Sequence, residues 1–243
     1  MVARDLTAES QDLPDRKYSY SFDERMHGYM LKTFAPHMKG EWALELGCYR
    51  GHYTRLLCDT GVKVDVVEGS MENAIMAMQA APDATFLVTR FEDFKPIRKY
   101  DQIHLIHTLE HMDDPVGLLA RCRDWLTPEG RLFVAVPNAF AASRQIAVKM
   151  GFIDDPWAVT AGERAHGHRR TYDSTSLVYA AVQAGLEHVE HGGIVFKGLA
   201  NFQMDAALAA GIIDERYLDG CYEIGLEYPD LCSSIYVICR REP

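Results

Sequence analysis

The chain has 243 residues, 48% of them hydrophobic, with 35 Asp+Glu against 25 Lys+Arg for a formal net charge of −10. That is enough for one α/β domain with an elaboration, and the lack of a Lys/Arg-rich run argues against nucleic acid as a partner. No apolar run approaches the ~18 residues of a membrane helix, no basic-then-apolar leader opens the chain, and the six cysteines form no CxxC pair, so a soluble protein of the reducing cytoplasm is expected.

After a polar stretch, Ser21-Phe-Asp-Glu24 reads as a capping box. Phe22, Met26, Met30 and Phe34 follow at helical spacing, predicting an amphipathic helix from about Phe22 to His37. Short β-branched, apolar runs at Trp42–Leu46, Val62–Val67, Thr85–Val88, Gln102–Ile106 and Arg131–Val136 read as buried strands. Helices are predicted between them at His52–Asp59, Met71–Ala81 and Pro115–Leu126, the last started by Asp114 as N-cap and Pro115 at the first helical position. Such alternation implies a parallel, doubly wound sheet.

Beyond Pro137-Asn138 the pattern turns irregular from Ala139 to Thr171. A helix is predicted from Asp173 to about Gly185, then strands at Leu186–Phe196 and Ser233–Cys239 around a helical insert, Asn201 to Leu226. Two late strands after five parallel ones suggest an antiparallel hairpin at the sheet edge. One domain over 1–243 is expected: a cap helix in 1–40, a cofactor-binding half in 41–138, and substrate-facing loops, insert and edge strands in 139–243. The insert suits a lid or a homodimer contact.

The turn Glu45-Leu-Gly47-Cys48-Tyr49-Arg-Gly51 decides the ligand class. A nicotinamide-binding G-x-G-x-x-G would need glycines where the chain has Tyr49 and His52. Glu68 closes the second strand 17 positions after Gly51, the right reach for a carboxylate that accepts both hydroxyls of a ribose.

With WALELGCYRG first, VDVVEGS second, FEDF after the third strand, IHLIHTLEHMDDP fourth and LTPEGRLFVAVPN fifth, the chain resembles the class I S-adenosylmethionine-dependent methyltransferases. The resemblance is strongest over Glu41 to Asn138. It implies a Rossmann-like, seven-stranded, mostly parallel sheet with an antiparallel C-terminal edge hairpin and a helical cap and insert, and S-adenosyl-L-methionine as cofactor. By the same resemblance Gly47 and Gly51 let the loop approach the methionine part of the cofactor, with Cys48 and Tyr49 beside it, Tyr49 standing where glycine is common. Glu45 would orient the cofactor's amino group, Glu68 would bind its ribose, Phe91 and Glu92 would flank its adenine, and His107 would lie alongside. Tyr18, Tyr20, Phe22 and His27 resemble the family's cap, with Tyr20 facing the substrate.

His107-Thr-Leu-Glu110-His111 also matches the H-x-x-E-H zinc signature. That signature needs a long helix, whereas here Asp113-Asp114-Pro115 follows at once, so a zinc hydrolase is the weaker alternative. In the methyltransferase reading Glu110 or His111 would face the substrate cleft or brace it.

The segment Gly162-Glu-Arg-Ala-His166-Gly-His168-Arg169-Arg170-Thr-Tyr172-Asp173 is the densest polar cluster, and in this family such segments commonly line the acceptor pocket. A hydroxyl acceptor needs a base. His168 or His166 is the candidate, with His111 competing. Arg169 and Arg170 could grip an acid group of the acceptor through guanidinium forks, with Tyr172 beside them; the bland reading ties the loop to its own Glu163 and Asp173. No metal is expected, because His166-x-His168 has no carboxylate partner in the sequence.

The expected activity is methyl transfer to a hydroxyl of a small acceptor, a sugar, nucleotide-linked sugar or comparable intermediate. HGHRRTYD and FKGLANFQMD resemble methyltransferases of bacterial saccharide and natural-product pathways. N-methyl transfer on the same fold, and a cofactor-binding scaffold without turnover, are the other readings.

Overall fold

The computed structural model describes residues 4–14 and 17–242. In chain order the elements are α1 (Leu6–Glu9), α2 (Ser21–Phe34), β1 (Trp42–Leu46), α3 (His52–Asp59), β2 (Lys63–Glu68), α4 (Met71–Ala80), β3 (Thr85–Val88) and β4 (Tyr100–Ile106). Then come α5 (Pro115–Trp125), β5 (Leu126–Pro137), α6 (Ala142–Lys149), α7 (Ala161–Ala165), α8 (Ser174–Gln183), β6 (Leu186–Phe196), α9 (Asn201–Ala209), α10 (Glu215–Glu227) and β7 (Cys232–Arg241).

The sheet runs β3-β2-β1-β4-β5-β7-β6. The first five strands pair in parallel, and β7 pairs antiparallel with both β5 and β6. The edge hairpin is therefore real, with β6 outermost. Strand order reverses between β1 and β4, and the crevice at the carboxyl ends of strands around such a switch point is where open α/β sheets bind ligands.

Helix α2 buries Phe22, Met26, Met30 and Phe34, all at most 2% exposed, each worth about 1.5–3 kcal/mol of transfer free energy. Its start differs from the expected Ser21 cap. The Asp23 carboxylate accepts the Tyr20 amide at 2.8 Å, and Asp205 of α9 accepts the Ser21 and Phe22 amides at 3.0 and 2.8 Å. Three orphan donors of a helix N-terminus are thus met by carboxylates, two of them from an element 184 positions away in sequence. The helix ends at Phe34 and Pro36 continues it as one 3₁₀ turn to His37.

The stretch 139–171, expected to be irregular, holds α6 and α7. Helix α7 starts on a reciprocal capping box, the Glu163 amide donating to Thr160 Oγ1 at 3.2 Å and the Thr160 amide to Glu163 Oε2 at 2.8 Å. The expected helical insert consists of two helices, α9 and α10. Gly211, at a φ of 66°, interrupts it, and Asp214 caps the second helix by accepting the Tyr217 amide at 3.1 Å.

Candidate functional site

The loop after β1 reverses sharply. Gly47, Tyr49 and Gly51 have φ values of 79°, 49° and 81°, a region glycine enters freely and tyrosine only at a cost of about 1–2 kcal/mol. Tyr49 thus keeps the left-handed backbone that a glycine would adopt, and its ring packs against Tyr18 with centroids 4.8 Å apart. A Cβ on Gly47 would come within 2.9 Å of Thr108 Oγ1, a hydroxyl that donates to the Leu46 carbonyl at 2.9 Å. The β1 and β4 loops therefore approach too closely for any side chain at 47.

Gly51 has a different reason. A Cβ there would lie 2.7 Å from the Cα of Ala77 in α4. Gly51 is not on the wall of the cavity described next, so close helix packing rather than ligand approach demands it.

A cavity of about 1030 Å³ opens at the carboxyl ends of β1, β2 and β4, walled by Glu45, Gly47, Cys48, Tyr49, Glu68, Phe91, Glu92, His107, Glu110, His111, His166, His168 and Tyr20, among others. That volume is at the upper end for small-molecule sites, room for a cofactor and a second small ligand.

Glu68 ends β2 with its carboxylate accepting the Cys48 amide at 3.1 Å and the Ser70 amide at 2.8 Å. Burial pushes its pKa up and these amides pull it back down. Glu45 is 1% exposed and its Oε2 has no hydrogen-bond partner. Burial pushes this carboxyl up to about 8.

A raised carboxyl pKa means the fold binds a proton that the unfolded chain releases, so stability is full below about 4.5 and is lost as pH rises through about 8. The ligand-free protein is expected to lose up to about 1.4 kcal/mol per pH unit from this one group between roughly pH 5 and 8. Unfolding midpoints measured across that range should show the decline flattened in Glu45→Gln; an unchanged slope in the variant would refute it.

His107 sits at a φ of 48° with Nε2 2.8 Å from Ser234 Oγ, and burial lowers its pKa to about 4. His111 is held neutral by burial first, then by nearby cationic groups. Its ring meets that of His168 edge to face at 4.6 Å, and His166 meets Tyr18 the same way at 5.2 Å. The two loop histidines and His111 line the same cavity.

Three expected substrate contacts fall elsewhere. Arg169 pairs with Asp113 at 3.3 Å and Glu9 at 3.7 Å, and Arg170 donates to the carbonyls of Met112 and Asp113 at 3.0 Å each. Both arginines clamp the loop after β4 instead of facing the cavity. Tyr172 is 4% exposed within the apolar core, and its carbonyl accepts the Ala139 amide at 2.8 Å. Glu163 is spent on Arg144 at 2.6 Å, and Asp173 on the start of α8, so the loop is not tied to its own carboxylates either.

The sequence reading missed Lys197. It lines the cavity at 3% exposure, and burial lowers its pKa to about 8. A lone lysine in VFKGL gives no periodic or motif signal. Among the described residues no helix is long and apolar enough to cross a membrane.

Residues 21–191 match the family model of a methyltransferase domain. The chain belongs to that family and is a class I S-adenosylmethionine-dependent methyltransferase, with S-adenosylmethionine as its cofactor. It is similar to the ubiquinone biosynthesis O-methyltransferases of Idiomarina loihiensis, 24% identical over 79% of this chain and 76% of the relative, and of Dinoroseobacter shibae, 26% over 72% and 71%. Among solved structures, the N-methyltransferase NodS from Bradyrhizobium japonicum, in complex with S-adenosyl-L-homocysteine, shares the fold with a TM-score of 0.59. It is 14% identical, with 98% of this chain and 96% of that one covered.

Proposed function

We propose that the enzyme transfers the methyl group to a hydroxyl of a small biosynthetic intermediate, a sugar or nucleotide-linked compound being the class the loop sequences favour. The observation that carries this reading is the wall of three histidines, His111, His166 and His168, on the cavity that the cofactor loop also lines. A hydroxyl must shed a proton as it attacks, and imidazole is the side chain suited to receive it. The relatives named for O-methylation support the same choice.

The residues fit the cofactor in kind. Glu68, whose carboxylate accepts the Cys48 and Ser70 amides and the Cys48 thiol, ends β2 on the cavity wall, the position that suits the ribose hydroxyls. The unpartnered Oε2 of Glu45 suits the amino group of the methionine part, Phe91 and Glu92 the adenine, and Gly47, Cys48 and Tyr49 the chain between, with His107 alongside. S-adenosylmethionine supplies an electrophilic methyl group. The protein's share is to hold the acceptor oxygen in line, exclude water with Tyr18, Tyr20 and His27, and take the hydroxyl proton on the histidine wall, His166 being the one whose ring reaches Tyr18 and through it the cofactor loop.

The test is methyl transfer from isotopically labelled S-adenosylmethionine to paired acceptors, sugars and phenols against the matching amines. Transfer to oxygen is expected. Turnover confined to the amines would replace the reading with N-methylation.

A further inference from the structure

We infer that Lys197 binds an anionic oxygen of the acceptor, a carboxylate or phosphate group, and so sets which acceptors the enzyme takes. This rests on the reading that the cavity holds a small acceptor beside the cofactor, and it holds whether oxygen or nitrogen is methylated.

Strand β7 runs antiparallel to both β5 and β6. β6 therefore points the same way as the five parallel strands, and its carboxyl end opens on the same edge of the sheet as the cofactor loop. In the strand order that end lies three positions from β4, roughly 14 Å at ~4.8 Å per strand. A lysine there reaches the cavity beyond the ends of β1, β2 and β4, on the side left for the acceptor.

The end of β6 is bent on the way to this lysine. Val195 is fully buried at a φ of 57°, an outlying conformation for a β-branched residue. Successive strand residues face opposite sides of a sheet, yet Ile194 and Val195 both lie in one apolar cluster with Phe22, Met204 and Tyr222. The alternation breaks at Val195, and two residues later Lys197 lines the cavity. Strained backbone held in place by its surroundings clusters at ligand sites.

Lys197 also has hydrogen-bonding capacity to spare. It is 3% exposed, and an ammonium carries three donors. Among the described residues Nζ meets one acceptor, the Leu199 carbonyl at 2.8 Å, and no carboxylate as an ion pair. Asp23 of α2 is the acidic group that most favours its charged form, but the two oxygens of that carboxylate accept the Tyr20 amide at 2.8 Å and Asn201 Nδ2 at 2.6 Å. Buried charges are normally paired. Burial lowers the lysine's pKa to about 8, so at neutral pH it is still mostly charged, and an ionised oxygen entering the cavity gains a charge-assisted hydrogen bond from it.

The experiment uses the full chain saturated with S-adenosylhomocysteine and titrated calorimetrically with two pairs of probes, protocatechuate against catechol and glucose 6-phosphate against glucose. The anionic member of at least one pair is expected to bind about tenfold tighter or more than its neutral twin, and the pair that shows it tells carboxylate from phosphate. Lys197→Met keeps the length of a side chain whose Nζ lies 5.3 Å from the centre of the Phe22 ring. It is expected to cut the preference to within about threefold and to leave S-adenosylhomocysteine binding unchanged. Asp23→Asn removes the competing charge and can still accept the Tyr20 amide, so it is expected to raise the preference, which a misfolded variant cannot do. Lys32→Gln, at an exposed lysine of α2, changes nothing. No preference for either anion, or a preference kept in Lys197→Met, overturns the proposal. Loss of S-adenosylhomocysteine binding in Lys197→Met overturns it too, by giving the lysine to the cofactor. Labelled methyl transfer to the probes without regard to the anion overturns it and leaves the acceptor reading standing. If methyl goes only to amines while the anion preference still depends on Lys197, the proposal stands and O-methylation falls.

Discussion

Replacing Glu68 by alanine is expected to lower the affinity for S-adenosylhomocysteine by roughly 10²–10³-fold, about 3–4 kcal/mol, as two hydrogen bonds to a charged acceptor are lost. The residue does two jobs at once. Its carboxylate holds the Cys48 and Ser70 amides, shaping the turn, and the same carboxylate is proposed to meet the ribose. Glu68→Gln separates them, because the amide oxygen still accepts from one backbone donor while the charge is gone, so an intermediate loss of about tenfold is expected. Calorimetric titration reads both variants, with unfolding midpoints beside them to show that the turn survives. An alanine variant that binds within threefold of the wild type would remove Glu68 from the cofactor site.

His166→Ala is expected to cut kcat for a hydroxyl acceptor by roughly 10²–10⁴-fold, the range for a lost general base, with KM and cofactor affinity changed only a few-fold. The side chain is 5% exposed and packs on Tyr18, so alanine also opens space. His166→Gln keeps most of the volume and cannot take up the proton. If glutamine is as slow as alanine, the imidazole is the base; if glutamine restores turnover, the residue only positions Tyr18, and the proton goes to another group on the wall.

The strands and the cofactor turn were legible because their signals are local. Short apolar runs of strand length mark β1, β2 and β4, and Glu45 and Glu68 stand out because a glycine turn fixes the first and its spacing fixes the second. The acceptor side was less legible because its geometry depends on contacts distant in sequence. Arg169 and Arg170 read as ligand-facing charges, yet the loop after β4, more than 55 positions away, offers carbonyls that satisfy them first. His107 and Glu110 look alike in the motif, but only His107 finds a partner, from a strand 127 positions on. The Thr160 to Glu163 capping box was present in the sequence and went unused, because α7 has five residues, too few to show an apolar period. Gly51 was assigned to a ligand when its true neighbour is Ala77, which only helix packing reveals.

The two amides at the head of α2 are held by Asp205, and Asn201 Nδ2 donates to Asp23 Oδ1 at 2.6 Å across the same junction. Insert and cap are consequently one module for anyone recombining this scaffold with a relative. A graft that exchanges α9 alone leaves the Ser21 and Phe22 amides without their acceptor, and one that exchanges α2 alone strands Asp205 without donors. Altered acceptor choice by domain shuffling therefore requires moving both segments together, with breakpoints ahead of Tyr20 and past Glu227.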